Sequence, residues 1–127
     1  MPARAPFDYA IVRVVPRVER EEFINVGVIL HAPTLGYLAC TLHLDAARLA
    51  ALAPDVDVEL ISRHLDAFRR VCEADRGAGP IAALPLAERF HWLVAPRSAQ
   101  LQTSPVHGGV CDDPAAALRD LFARRVA

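Results

Sequence analysis

Residues 89–98 read RFHWLVAPRS and hold the densest set of chemically capable side chains in the chain. Arg89, His91, Trp92, Arg97 and Ser98 combine two guanidinium forks, an imidazole, an indole and a hydroxyl. Arginine pairs bidentately with phosphate, and tryptophan stacks on bases or on arginine, so an anion or nucleotide site is one reading of this stretch. The plainer reading packs Trp92 into a core and leaves the arginines in surface ion pairs.

A second cluster lies at residues 107–113, HGGVCDD. A glycine-rich loop that opens a helix can cradle an anion on free N–H groups. Asp112 and Asp113 would repel phosphate there, and the P-loop pattern is absent, as is every lysine. A nucleophile pair of Cys111 with His107 or another histidine is formally available. Capping of the following helix by Asp113 is the better-supported role.

A third candidate is the stretch EEFINVGVILHA at residues 21–32, where Asn25 and Gly27 interrupt a run of strand formers. Glycine inside a strand lets another backbone or a ligand come close, and asparagine offers donors and an acceptor beside it. Strict alternation puts both on the face opposite Val26, Val28 and Leu30, together with His31, Thr41 and His43 from the neighbouring strand. That face would form a shallow polar groove. The simpler account is a β-bulge or a close crossing at Gly27, with Asn25 bonding a neighbouring segment. The run RVEREE at residues 17–22 reads as a solvated connection with internal ion pairs. Adjacent carboxylates in an extended segment point apart and would not chelate one Mg²⁺. No metal-ligand spacing, no GxSxG elbow and no cofactor motif occurs, so neither metal nor cofactor is expected.

The elements that must position these groups follow from periodicity. Residues 7–15, 23–32 and 37–44 read as strands, with PTLG between the second and third. A three-residue loop with Gly36 left-handed would set Leu30 opposite Leu38, Gly27 opposite Thr41 and Asn25 opposite His43. Asp45 can cap a short helix over 45–53. Asp55 or Asp57 can cap a longer one reaching about residue 75 and ending at Gly77. The apolar steps Val58, Ile61, Leu65, Phe68 and Cys72 give the longer helix one buried stripe, with Glu59, Arg63, Asp66, Arg70 and Glu73 opposite and His64 facing solvent. Residues 85–95 fit a helix with Leu86, Phe90 and Leu93 inward, or a strand in their aromatic second half. Residues 100–106 read as a short strand and 106–113 as a loop. A last helix opens with Pro114 and ends near Arg124 and Arg125, as the helix dipole favours.

The expected fold is α+β, an antiparallel sheet of three to five strands with helices mainly on one face. At 127 residues and 54% hydrophobic content the chain suits a single domain over 1–127: strand-rich 7–44, helix-rich 45–76, then 85–127. Net charge is −1, which gives no general attraction to nucleic acid or to anionic membranes. All 14 basic residues are arginine, a bias that genome composition explains as readily as phosphate recognition. No apolar run reaches membrane length, and residues 1–10 lack a signal-peptide pattern. Cys40, Cys72 and Cys111 are odd in number and make no CxxC, as expected of free thiols in a cytoplasmic protein.

The blocks YAIVRVVPRVEREEFINVGVIL and RFHWLVAPRSAQLQTSPVHGG, with DDPAAALRDLF beyond them, resemble a bacterial family catalogued as domain of unknown function 3037. The resemblance runs from Tyr9 to Phe122. It implies a small protein whose gene lies near that of a HipA-like serine/threonine kinase, and so a partner or regulatory role. The leading expectation is a non-enzymatic cytoplasmic domain acting through another protein, by way of Asn25, Gly27, Thr41 and the RFHW segment. The rival is a small enzyme or nucleotide-binding module in which Arg89, His91, Arg97 and His107 converge on one pocket. Nucleic-acid binding would need a continuous arginine face.

Overall fold

The computed structural model describes residues 4–97 and 99–126. Strand β1 (Ala5–Val14) is central and pairs antiparallel with β2 (Ile24–Ala32). β2 pairs antiparallel with β3 (Tyr37–Leu42). The other edge of β1 is shared by two short antiparallel strands, β4 (Leu101–Thr103) beside Val12 to Val14 and β5 (His107–Cys111) beside Ala5 to Tyr9. The fold is therefore α+β with a five-stranded antiparallel sheet. Residues 107–111, expected as loop, are strand. Gly108 and Gly109 made that segment look too flexible, yet each lies against β1.

The helices are α1 (Ala46–Leu52), α2 (Val58–Cys72), α3 (Leu86–Val94) and α4 (Pro114–Arg125). Asp45, Asp57 and Asp113 cap α1, α2 and α4 by accepting from the backbone N–H of Arg48, Leu60 and Ala115. The long helix stops earlier than glycine placement suggested. Cys72 is its last residue, and Ala74 takes the left-handed turn at φ 58°. Residues 86–94 are helical, with Phe90 and Leu93 buried as the helical reading requires. Arg17 Nη2 donates to both carboxylate oxygens of Asp55, at 2.9 and 3.0 Å, tying the connection after β1 to the loop between α1 and α2.

Helices α1, α2 and α3 cover one face of the sheet. Leu49, Ile61, Leu65, Phe68 and Phe90 meet Ala10, Val12, Val14, Val26 and Ile29 there. α4 covers the other, where Leu118 and Leu121 pack on Ile11, Val28, Leu30 and Ala32. A strand buried on both faces reads as a continuous apolar run, which is how residues 26–32 read. No helix among the described residues is long and apolar enough to cross a membrane.

Two corrections concern register. Strand β2 is bulged: Gly27 lies opposite Val12 and Asn25 opposite Arg13, so Val26 is the extra residue. The bulge breaks the alternation. Val26 and Ile29 share one face, whereas Val28, Leu30 and Ala32 share the other. The β2–β3 pairing is also one residue away from expectation. Gly27 faces Leu42, Val28 faces Thr41 and Leu30 faces Ala39. Gly36 is left-handed at φ 59° as foreseen, but the loop spans four residues, closing on the pair Ala32 and Tyr37. Because both faces are buried, a one-residue slip exposes no apolar surface, and alternation alone could not choose.

Candidate functional site

The bulge disposes of the polar groove. Asn25 and Gly27 end on opposite faces. Asn25 Nδ2 donates to the Arg125 carbonyl at the end of α4, at 3.2 Å. Gly27 is buried, and a Cβ built there would fall 2.5 Å from the Thr41 carbonyl oxygen. Its lack of a side chain serves close strand packing, not ligand access. Thr41 lies opposite Val28, on the α4 side, and His43 is exposed beyond the end of β3.

Residues 89–98 divide as well. Arg89 turns back and donates from Nη1 to the Leu84 carbonyl at 2.7 Å, while its Nε is buried with no partner among the described residues. His91 is exposed on α3. Ser98 lies outside the described residues. His107 stands on β5 with its ring 5.5 Å from that of Tyr9. His107 and Cys111 sit four residues apart on one strand, about 13 Å at strand rise, too far for a nucleophile–base pair. Cys111 is buried, and burial with Asp112 and Asp113 beside it pushes its thiol pKa up, away from the thiolate.

What remains is a cleft of about 540 Å³ between α2, α3 and β4. Trp92 and Arg97 form one wall. Arg63, His64 and Arg70 of α2 form the other. Phe68, Val71 and Ile81 give it an apolar floor. Periodicity alone places these α2 residues on a solvated face. Their spacing carried the signal: Arg63, Ala67 and Arg70 step by four and three along one flank, and the small Ala67 leaves a notch between two guanidinium groups.

Each cation is placed differently. The Arg97 guanidinium lies 4.8 Å from the centre of the Trp92 ring and donates to the Trp92 carbonyl. Arg70 donates from Nε to Asp75 at 2.8 Å, and this hydrogen bond holds Asp75 below the usual carboxylate range. Its terminal nitrogens are left to the cleft. Gly77 makes room for them, since a Cβ there would fall 2.5 Å from Arg70 Nη2. Arg63 has no hydrogen-bond or ion-pair partner among the described residues. Among the described residues no carboxylate lines the cleft, although the whole chain is net negative.

Chemically this is a set of donors. Guanidinium and indole N–H groups do not give up protons at neutral pH, and His64 is the one imidazole among the described residues that line the cleft. No group of three or more histidine, cysteine or acidic residues able to hold a metal ion occurs among the described residues. Arg70 at the cleft faces Asp75, as Arg4, Arg17, Arg20, Arg69 and Arg124 outside it each face an acid, whereas Arg63 and Arg97 have no such partner among the described residues.

Comparison with the curated proteins and with the solved structures gives no match. A match to a known family spans residues 9–126, nearly all of the chain. The chain belongs to the family described as Protein of unknown function (DUF3037).

Proposed function

We propose that this domain is a non-catalytic binding module that acts through a protein partner, and that an anionic segment of the partner docks in the cleft between α2 and α3. The observation that supports this reading is the lining itself. Arg63, Arg70 and Arg97 line one apolar-floored cleft, and of the three only Arg70 is ion-paired, to Asp75, in a chain of net charge −1. Such a site attracts and orients negative charge. Among the described lining residues no nucleophile stands beside His64, which favours binding over turnover. The family resemblance makes a HipA-like kinase the first companion to look for.

The test is affinity purification of the tagged protein from its own cells, with mass spectrometry, alongside an Arg63→Glu variant. Arg63 is exposed, so charge reversal there should leave the fold intact. The reading expects one stoichiometric companion with the wild-type chain, strongly depleted with Arg63→Glu. Recovery of the chain alone, or a companion indifferent to the substitution, would overturn it.

A further inference from the structure

We infer that the group selected by this cleft is a phosphoryl group carried beside a planar aromatic ring. The inference rests on the docking reading above and names the chemistry that docks.

The ring half of the argument comes from Trp92. Its side chain lines the cleft and is 41% exposed, unusual for a large aromatic beside a core. Arg97 occupies part of the indole and is itself fixed by its bond to the Trp92 carbonyl. The indole is therefore held by a cation that has no carboxylate partner among the described residues. Phe68 and Ile81 line the same cleft as the indole. A flat ring slid into that space would stack on the indole and cover the floor.

The phosphoryl half comes from α2. Arg63 and Arg70 are seven residues apart, about 10 Å along the helix axis, with the short Ala67 between them. A lone carboxylate is satisfied by a single fork. A phosphoryl group has three acceptor oxygens and a charge near −2, and can be approached from two sides at once. Arg70 is oriented beforehand by Asp75, and the missing side chain at Gly77 clears its terminal nitrogens. Preorganised forks of this kind match phosphate better than a flexible point charge does. A volume of about 540 Å³ accommodates a ring and a phosphoryl group together.

This chemistry has two sources, a phosphotyrosine side chain of the partner and a free nucleotide. Trp92 is the only tryptophan in the chain, so its fluorescence reports on the cleft alone. The purified protein would be titrated with a phosphotyrosine peptide and its unphosphorylated twin, with ADP and adenosine, and with inorganic phosphate. Calorimetry would run in parallel. The expected result is a change in Trp92 emission with at least one phosphorylated ligand. That ligand should bind about tenfold or more tighter than its unphosphorylated twin and than inorganic phosphate, and should lose a similar factor in Arg63→Ala. The peptide and nucleotide arms identify the source. Equal binding of the twins, equal binding of inorganic phosphate, or no ligand that moves Trp92 would overturn the inference. If capture of a companion still depends on Arg63 in that case, the docking reading stands and the phosphoryl assignment alone fails.

Discussion

Ser104 stands in for a strand residue opposite Ile11. Its backbone N–H donates to the Ile11 carbonyl at 2.8 Å, and its Oγ accepts from the Ile11 N–H at 2.9 Å. One buried residue thus satisfies both backbone groups of Ile11 in the gap between β4 and β5. Ser104→Ala leaves that N–H buried and unpaired. The expected cost is about 1–3 kcal/mol, read as a lower urea midpoint at unchanged slope.

Gly27→Ala tests the bulge. The added methyl would meet the Thr41 carbonyl and the Leu42 side chain across the β2–β3 pair. Backbone atoms cannot swing away as a flexible side chain can. Overpacking of this kind costs about 1–3 kcal/mol. Ligand affinity per folded molecule should be unchanged, because Gly27 lies outside the α2–α3 cleft. Weaker binding by a fully folded variant would restore the groove at this strand as a site.

His31 should make the fold sensitive to acid. It is 4% exposed, its ring lies 4.8 Å from that of Phe90, and neither ring nitrogen has a partner among the described residues. Burial lowers its pKa below the ordinary 6.5. The negative charge of Asp8 opposes this shift and His91 adds to it. The unfolded chain therefore takes up the proton first. Stability is full above about pH 6.5 and declines as the pH falls from there toward the lowered folded value. His31→Leu removes this titration. Urea midpoints measured between pH 8 and pH 5 should decline less steeply in the variant, and equal slopes would show that His31 carries none of the loss.

Trp92 should feel the surrounding cations. With Arg63, Arg70 and Arg97 lining its cleft, its fluorescence should be quenched more efficiently by iodide than by caesium. Arg97→Ala should narrow that difference while changing stability by about 0.5 kcal/mol or less. A wild-type chain quenched equally by both ions would mean that the cleft is not electropositive.

Asp57 caps α2, the helix that carries one whole wall of the cleft. Asp57→Ala should cost about 1 kcal/mol. The cost should appear in global stability and not in ligand affinity, because Arg63 and Arg70 lie in the second and fourth turns.

The helices were legible because their signals are local. Asp45, Asp57 and Asp113 announce caps, and the 3,4 stepping of Ile61, Leu65, Phe68 and Cys72 announces a buried stripe. Strand positions were legible for the same reason. Register was not, because Val26 bulges out of sequence and both faces of β2 are covered. His107 to Cys111 hid a strand because its pairing partner is β1, about a hundred residues away. At the candidate site Trp92 and Arg97 stood out by type. Arg63, His64 and Arg70 did not, since a charged helix flank ordinarily faces water, and only the placement of α3 and β4 closes a cleft over it.

The shared edge of β1 sets an order of events in folding. β2 and β3 follow β1 closely in the chain and can zip onto it at once, whereas residues 101–111 come last. During synthesis the open side of the first strand must wait for some ninety further residues before its ladder is complete. Until then a row of unpaired amides and carbonyls beside Val12 and Val14 is available to any extended chain nearby. Shielding by a chaperone, or the arrival of α4 and the strands just before it, would decide how much of the newly made protein escapes aggregation.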